Sequence, residues 1–412
     1  MALGRSSHER TAVADEPLLR TVDLTRHFRL GGMFGKQVLH AVDDLSFTVE
    51  EREIVALVGE SGSGKSTVAR LIARIYPPTR GEIYYRGRPI HGLRSRRKLA
   101  SYRGEVPIVF QDPFSAFNPV HRVSHGVIRN LVLHRPELNR LERRREAERV
   151  FESVGLSSRM LGRFPYEMSG GERQRVGFAQ ALAVRPKLIL ADEPVSMLDV
   201  SIRAGVLNMM AGLRDRESVS LLYITHDLAS ARYVADRIIV MYAGQMVEAG
   251  PAETILAEPK HPYTQLLLSA VAGPREEGAS VSGDTGEPPR VIEPGEGCRF
   301  RWRCPYAIET CSQVTPRLLP VGSTQVACHV VAAESEPVSR TADTASTTRG
   351  CDAPGKIRTC DLCLRRAALY PLSYGREGAV SVPGRLPTRH RAPRCPAPRR
   401  AHKRARDPAR RS

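Results

Sequence analysis

The sequence lacks three features that would assign it to common classes of proteins. It has no run of 18 or more apolar residues, which excludes an ordinary transmembrane helix. Its first 16 residues are polar and lack the apolar core of a secretory signal, so we expect a protein that stays in the cytoplasm. It has no cysteine before Cys298, which excludes disulfides and thiol chemistry from most of the chain. Any function at a membrane therefore requires separate membrane-embedded subunits.

Acidic residues are too few to balance the basic ones, since 62 Lys and Arg face 44 Asp and Glu, for a net charge of +18. The excess is uneven: residues 335–412 carry 18 basic and 6 acidic residues, and the rest of the chain has a net charge of only +6. A strongly basic segment favours nucleic acid or anionic lipid as a partner. This segment does not interleave aromatic with basic residues and has no helical pattern, so we expect no nucleic-acid partner.

The strongest chemical signal is a glycine-rich loop between a predicted strand and a predicted helix. Residues 54–58 form a β-branched apolar run typical of a buried strand, and apolar residues at helical spacing follow from Val68 to Ile75, before Pro77. The loop between them fits GxxxxGK[ST], whose backbone N–H groups and helix N-terminus bind phosphates. In this pattern the lysine reaches the β- and γ-phosphates and the next hydroxyl ligates Mg²⁺. The predicted nucleotide-binding residues of this P-loop are Gly59, Glu60, Ser61, Gly62, Ser63, Gly64, Lys65, Ser66 and Thr67.

A second predicted strand, residues 188–191, ends in two adjacent carboxylates, Asp192 and Glu193. An aspartate at the carboxyl end of a strand can hold Mg²⁺ opposite the P-loop hydroxyl, and the next carboxylate can orient an attacking water. Residues 169–171 (SGG) predict a turn at the start of a helix-like run, residues 176–183. In a chain with a P-loop, this arrangement favours nucleotide hydrolysis over a solvated strand end.

Together with three further motifs, these residues resemble the ATP-binding cassette (ABC) ATPases. Residues 168–172 (MSGGE) resemble the family's signature motif, and Gln111 resembles the glutamine of its Q-loop. Asp199, in SMLD, resembles the D-loop aspartate, and His226, in ITHD, resembles the switch histidine. Two positions of the signature motif and Met197 differ from the commonest residues of the family. None of these differences removes a group that contacts phosphate.

Three longer segments resemble the ATP-binding subunits of oligopeptide and dipeptide importers in particular. They are residues 109–120 (VFQDPFSAFNPV), 193–207 (EPVSMLDVSIRAGVL) and 261–264 (HPYT). The resemblance covers about residues 18–332. It implies ATP hydrolysis that powers import of peptides through separate permeases, with ATP and Mg²⁺ as cofactors. Whether the cargo is a dipeptide, a longer peptide, nickel or another solute stays open.

The resemblance implies a role for each motif residue. The implied catalytic residues are Glu193, His226, Lys65 and Gln111. The implied Mg²⁺ ligands are Ser66, Gln111 and Asp192. The implied contacts to the γ-phosphate of a partner cassette are Ser169, Gly170 and Gly171, while Asp199 couples the two sites. Phe28 is implied to stack on adenine, and the alternative is that it is a minor core residue.

The implied fold is α/β: a P-loop NTPase core of the RecA type with an antiparallel β subdomain and a helical subdomain. A small cysteine-containing C-terminal module and a disordered tail follow. The implied partners are a second cassette (identical or a paralogue), two membrane permeases and, through them, an extracytoplasmic solute-binding protein. The implied location is the cytoplasmic face of the cell membrane. The predicted units are a leader (1–17), a nucleotide-binding domain (18–272, with the helical subdomain at about 112–180), a linker (273–297), the cysteine module (298–332) and a basic disordered tail (333–412).

The cysteines of the module have the spacing C-x5-C-x6-C-x16-C, at Cys298, Cys304, Cys311 and Cys328. Zinc ligands usually come in pairs two to four residues apart, and these do not. Four thiolates suit a [4Fe–4S] cluster, and the importer resemblance implies one. Zinc and free thiols remain as alternatives. In the tail, residues 355–377 resemble the peptide obtained when a transfer-RNA gene is read as protein, so we expect no function there.

Two other functions fit parts of the sequence. A soluble ABC ATPase acting on nucleic acid or the ribosome would explain the basic tail, but the ribosome-acting members usually carry two cassettes in one chain, and this chain has one. A regulatory subunit with a degenerate site would lack some of the motif residues, and Lys65, Asp192, Glu193 and His226 are all present. The sequence therefore favours an active transport ATPase.

Overall fold

The computed structural model describes residues 16–31, 37–93, 95–112, 117–271 and 291–335. The predicted leader up to residue 15, the predicted linker up to residue 290 and the predicted tail beyond residue 335 lie outside these ranges. Within them, no helix is both long and apolar enough to cross a lipid bilayer.

Twelve strands form two sheets in the described part of the chain. They are β1 (Leu19–Arg29), β2 (Val38–Val49), β3 (Ile54–Val58), β4 (Arg80–Tyr85), β5 (Arg88–Pro89), β6 (Ile108–Val109), β7 (Leu188–Asp192), β8 (Ser220–Thr225), β9 (Arg237–Tyr242), β10 (Gln245–Pro251), β11 (Leu319–Val321) and β12 (Thr324–Val326). The α-helices are α1 (Lys65–Ile72), α2 (Arg96–Glu105), α3 (Ser124–His134), α4 (Arg140–Ser153), α5 (Gly170–Leu182), α6 (Val200–Glu217), α7 (Leu228–Val234), α8 (Ala252–Ala257), α9 (Pro262–Val271), α10 (Thr310–Gln313) and α11 (His329–Ser335).

The small sheet is antiparallel, with strand order β2-β1-β4-β5. β1 pairs with β2 from Leu19 opposite Val49 to Arg29 opposite Val38. Buried and exposed side chains alternate at the start of β1, as expected for a sheet with one face on the core. The antiparallel strands predicted for this region are therefore confirmed.

The main sheet has the order β11-β12-β10-β9-β3-β8-β7-β6, and the five strands from β9 to β6 are parallel. β3 lies between β8 and β9, with Val58 opposite Thr225 and Val240. Parallel strands end at one edge of the sheet, and ligands of open α/β sheets bind beyond that edge. The P-loop follows β3, Gln111 follows β6, Asp192 and Glu193 stand at the end of β7, and His226 follows β8, so the topology brings these motifs together.

Every side chain of β3 is buried because both faces of the main sheet are covered. Ile54, Ala56 and Val58 pack in one apolar cluster with residues of α3 to α7. Val55 and Leu57 pack in the other, with residues of α1 and the small sheet. The continuous apolar run in the sequence is explained by this double covering.

Helix α1 ends earlier than its apolar pattern predicts. Arg74 has a φ of 57°, in the left-handed region, and the N–H of Ile75 donates to the carbonyl of Arg70 at 2.8 Å. This is the hydrogen-bonding pattern of a Schellman helix end, with arginine at the position where glycine is commonest. Ile75 is therefore outside the helix and 43% exposed, and the stop lies before Pro77.

The cysteine module shares the sheet and core of the cassette. β12 pairs with β10, with Glu248 opposite Val326, so the hairpin of the module extends the main sheet. Phe300 is buried, and its ring centroid lies 5.2 Å from that of Tyr242 and 5.5 Å from that of Tyr263. A short segment that could not form a core of its own is thus held by the core of the larger domain.

Residues 291–297, predicted as the end of a linker, are also packed on the cassette. The N–H of His40 donates to the carbonyl of Val291 at 2.8 Å, and Leu39 forms a β-bridge with Ile292. Val291 is buried. The composition of this stretch indicates a linker, but two apolar residues are enough to attach it to β2.

Candidate functional site

The P-loop fits closely against its neighbours, and glycine is required at two positions. A Cβ on Gly64 would lie 2.1 Å from the carbonyl oxygen of Ala41, and its φ of 100° is unfavourable for other residues. A Cβ on Gly59 would lie 2.2 Å from the carbonyl oxygen of Met241. The loop is therefore packed between β2 and β9, directly before α1.

The Lys65 ammonium is held inside the loop. It donates to the carbonyl oxygens of Gly59 at 2.7 Å and Glu60 at 2.8 Å, and the residue is only 4% exposed. Burial lowers the pKa of Lys65 to about 8, although the carboxylates of Glu193 and Asp192 act in the opposite direction. The charge of this lysine thus titrates near neutral pH.

A hydroxyl and a carboxylate meet beside the lysine. The Ser66 Oγ donates to Oδ1 of Asp192 at 2.8 Å. Burial raises the pKa of Asp192 above its usual range, and the hydrogen bond from Ser66 opposes that change. Both side chains offer oxygen ligands, which Mg²⁺ prefers, so the pair fits the predicted metal site.

The side chains of Gln111 and His226 both approach the carboxylate of Glu193. The Gln111 Nε2 donates to its Oε2 at 3.1 Å, and the Nδ1 of His226 lies 3.2 Å from the same oxygen. The Glu193 backbone has a φ of 47°, an uncommon conformation for a residue other than glycine. Its N–H donates to the carbonyl of Ile224 at 2.9 Å, which ties this turn to the neighbouring strand β8.

Most of these residues line one cleft of about 1020 Å³, a size suited to a small-molecule ligand, whereas the predicted residues Gly59, Ser63 and Asp192 lie outside its lining. Phe28 lies at one side of this cleft, partly exposed, with its ring edge-on to Tyr76 at 5.5 Å and the Arg26 guanidinium 4.5 Å from its centroid. The predicted residues in the lining are Phe28, Glu60, Ser61, Gly62, Gly64, Lys65, Ser66, Thr67, Gln111, Glu193 and His226.

The signature and D-loop residues are not brought to this cleft. Ser169 caps α5: its Oγ accepts from the N–H of Glu172 at 3.2 Å, and its own N–H donates to the Glu172 carboxylate at 2.8 Å. The helix begins at Gly170, before the predicted apolar run, and Gly171 packs against Ile202. Asp199 is exposed just before α6. The described chain therefore holds part of the motif set around its own cleft and presents the rest elsewhere.

The structure adds contacts that sequence analysis missed. The Arg303 guanidinium binds both carboxylate oxygens of Glu60, at 2.7 and 2.9 Å, and the Tyr263 Oη accepts from the Glu60 N–H at 2.9 Å. His40 and Ile292 also line the cleft. The HPYT segment was the one sequence signal for these contacts, because it contains Tyr263. The pattern did not indicate that Tyr263 binds the backbone of Glu60.

The four module cysteines are free thiols that lie close enough to influence one another. Burial and, to a lesser extent, the other three thiols raise the pKa of Cys298 to about 11. Among the described residues, the group whose ligand atoms all lie within 4.8 Å is His27, His40 and Asp43, and no three cysteines meet that limit. Four thiols are a donor set that both zinc and an iron–sulfur cluster use.

Family models match two parts of the chain. The model described as ABC transporter matches residues 42–196, and the model described as oligopeptide/dipeptide transporter, C-terminal region, matches residues 247–311.

Several curated proteins are similar over most of their length. A probable peptide ABC transporter ATP-binding protein of Sinorhizobium fredii is 42% identical over 321 residues, 76% of this chain and 90% of the relative. The oligopeptide transport ATP-binding protein AppF of Bacillus subtilis is 39% identical over 328 residues, covering 78% and 99%. The dipeptide transport ATP-binding protein DppF of Escherichia coli is 38% identical over 334 residues, covering 79% and 98%.

Solved structures share the fold. The ATP-binding cassette MJ0796, solved as a dimer in a post-hydrolysis state with ADP and Pi, has a TM-score of 0.51 and 27% identity, covering 57% of this chain and 98% of that chain. The cbiO1 protein of Clostridium perfringens has a TM-score of 0.52 and 24% identity, covering 59% of this chain and 91% of that chain.

Proposed function

The chain belongs to the ABC transporter family of ATP-hydrolysing subunits, and from that membership we propose that it powers the import of peptides through separate membrane permeases. The observation that carries the hydrolytic part is the convergence of Lys65, the Ser66–Asp192 pair and Glu193 at one sheet edge. The peptide cargo is supported by the relatives and by the C-terminal family model. No residue described above is argued to contact cargo.

Each side chain around the cleft then has a chemical task. Lys65 neutralises charge on the transferred phosphoryl group, and Glu193 polarises water for in-line attack. His226, close to Glu193, contacts the γ-phosphate. Mg²⁺, when bound by Ser66, Gln111 and Asp192, supplies further positive charge to the phosphates. The Gln111–Glu193 hydrogen bond connects the attacking-water position to the Q-loop, the surface that faces the permeases in this proposal.

A second cassette completes the site. Ser169, Gly170 and Gly171 lie at a capped helix start outside their own cleft, where the Ser169 hydroxyl and the N–H groups of the two glycines are suited to bind the γ-phosphate of a partner. Asp199, exposed before α6, couples the two sites. ATP binding closes the pair and hydrolysis reopens it, and this motion drives the two permeases, which receive cargo from an extracytoplasmic solute-binding protein. The complex then lies at the cytoplasmic face of the membrane.

The cysteine module holds a [4Fe–4S] cluster in this proposal, bound by Cys298, Cys304, Cys311 and Cys328. Four free thiols, partly or fully buried, are the donor set that such a cluster uses. Its role is structural or redox-sensing rather than catalytic. Iron and sulfide in anaerobically purified protein, lost in Cys311→Ser, support it, whereas stoichiometric zinc or metal-free thiols in both proteins contradict it.

The transport function is tested by purifying the tagged protein from detergent-solubilised membranes and measuring peptide uptake by the complex in proteoliposomes. We expect two multi-span permeases, a second cassette and uptake that requires ATP. A preparation without permeases, associated with nucleic acid or ribosomal proteins, would contradict the proposal.

A further inference from the structure

Two arginines of the cysteine module contact residues that line the nucleotide cleft, and both lie in a segment of only seven residues, 298–304, which we call the clamp segment. Arg303 binds the Glu60 carboxylate through two guanidinium nitrogens at 2.7 and 2.9 Å, and the two side chains are only 12% and 24% exposed. A bidentate pair in this setting fixes both position and orientation. Glu60 is the second residue of the P-loop.

Tyr263 holds the same P-loop residue by its backbone. Its Oη accepts from the N–H of Glu60 at 2.9 Å. Burial raises the pKa of Tyr263, so this hydroxyl stays neutral at physiological pH. The ring is fully buried between Tyr242 and Phe300, which ties it to the clamp segment. Side chain and main chain of Glu60 are thus both attached to the C-terminal part of the chain.

The second arginine contacts β2 and the turn between β9 and β10. Arg299 donates to the Asp43 carboxylate on β2 and to the carbonyl of Ala243. The same carboxylate accepts from His27 and from His40, whose Nδ1 lies at 2.9 Å. Although burial acts against it, the hydrogen bonds from His27 and Arg299 keep the pKa of Asp43 below its usual range. His27 precedes Phe28, and His40 itself lines the cleft.

Each of the two arginines that make these contacts is next to a cysteine of the module. Arg299 follows Cys298, and Arg303 precedes Cys304. The segment between them contains one turn of 3₁₀ helix, Arg301–Arg303, and the Cys298 N–H donates to the carbonyl of Cys311 at 2.8 Å. Because only three residues separate Arg299 from Arg303, a displacement of the segment moves both arginine contacts together.

We propose that the clamp segment positions the P-loop for nucleotide and that, in return, nucleotide binding stiffens the clamp segment. Arg303 is a positioning residue, since it acts through Glu60 and touches no reacting atom. The proposal rests on the cleft binding nucleotide, as proposed above. Coupling between two sites is reciprocal in equilibrium terms, so each half of the statement predicts the other.

The first test compares Arg303→Gln with Arg317→Gln, which removes the same charge from an exposed position of the same module. We expect Arg303→Gln to raise the KM for ATP and the dissociation constant for ADP about tenfold, the size of one charge-assisted hydrogen bond, with kcat within about twofold. Glu60→Gln has a similar effect, and the double variant is no worse than either single one, because both remove one interaction. Additive losses, or equal affinities for the two arginine variants, overturn the proposal.

The second test is hydrogen–deuterium exchange of the full chain with and without ADP. In the wild-type protein and in Arg317→Gln we expect ADP to slow exchange both in the P-loop and in the clamp segment. In Arg303→Gln, at saturating ADP, we expect slowing in the P-loop alone. If ADP slows the P-loop of the wild-type protein and leaves the clamp segment unchanged, the coupling is wrong. If ADP slows neither region of any variant, the proposed nucleotide site is wrong instead.

Discussion

The two halves of the main sheet serve the cleft in different ways. In the parallel half, the loops after β3, β6, β7 and β8 place chemical groups at one edge, and each group belongs to a short motif. In the antiparallel half, β10 and β12 carry no motif residue, yet they hold the module whose Arg303 and the neighbouring Tyr263 fix the P-loop from behind. The difference teaches that chemistry is encoded locally here, while support for it comes from contacts between distant parts of the chain.

The largest effect is expected from Glu193→Gln, at the edge of the parallel half of the sheet where the motif side chains lie. The amide keeps the size of the side chain but loses the charge that polarises water, so hydrolysis falls roughly 10²- to 10³-fold while ATP still binds. Steady-state ATPase assays and size-exclusion chromatography with ATP check this, and we expect a closed dimer to accumulate. Glu258→Gln, at an exposed position, is the matched control. Near-normal turnover of Glu193→Gln would assign the base elsewhere.

In the module held by the antiparallel half of the sheet, we expect Phe300→Ala to lower the free energy of unfolding by about 3–5 kcal/mol. The substitution removes a fully buried ring that packs in the core shared by the module and the cassette. Trp302→Ala, two residues away and 80% exposed, should change it by less than about 0.5 kcal/mol. Urea unfolding of both variants measures the contrast. Equal midpoints would mean that the module contributes nothing to the common core.

The free energy of unfolding is also expected to depend on pH, through the buried His261. Burial lowers the pKa of His261 to about 4, so the folded protein keeps this ring neutral. The unfolded chain binds a proton near pH 6.5, so the unfolded state gains protons first and stability falls as the pH drops from about 6.5 to 4, by about 3 kcal/mol from this group. Unfolding at pH 7 and at pH 4.5 measures the loss, and His261→Gln should reduce it. A variant with the same loss would place the effect in other groups.

At the edge of the parallel half of the sheet, the pKa of Lys65 near 8 predicts a smaller effect on nucleotide binding. Phosphates favour the charged amine, so binding raises this pKa and takes up protons. Affinity then falls as the pH rises through 8, about tenfold per unit at most. Calorimetric titration with ADP from pH 7 to pH 9, in buffers of different ionisation enthalpy, detects both changes. Lys65→Arg keeps its charge and should show neither, whereas an identical slope in both proteins would contradict the assignment.

The smallest effect is expected from deleting residues 335–412. This segment lies almost entirely outside the described residues, and its sequence predicts no function. ATPase rate and peptide uptake of the truncated chain should stay within about twofold of those of the full chain. A larger loss would give the basic tail a role.

The motif contacts in the parallel half of the main sheet could be predicted from the sequence, whereas the contacts of the module could not. Ser66 and Asp192 are 126 residues apart, yet both follow predicted strands, so their 2.8 Å hydrogen bond was foreseeable. Arg303 and Glu60 are 243 residues apart, and neither stands in a pattern that points to the other. The early end of α1 was hidden as well, because Arg74 carries no sign of a left-handed conformation. Contacts made by single long side chains leave no periodic trace in a sequence.

The position of the signature residues makes the rate law of this protein informative. Because Ser169, Gly170 and Gly171 lie outside the cleft of their own chain, we expect a single subunit to bind ATP without a complete site for hydrolysing it. At protein concentrations well below the pairing constant, we expect hydrolysis to be second order in protein, whereas membrane subunits that hold two cassettes side by side, as proposed, would make it first order. On this proposal, dilution alone would suppress ATP hydrolysis by unassembled subunits.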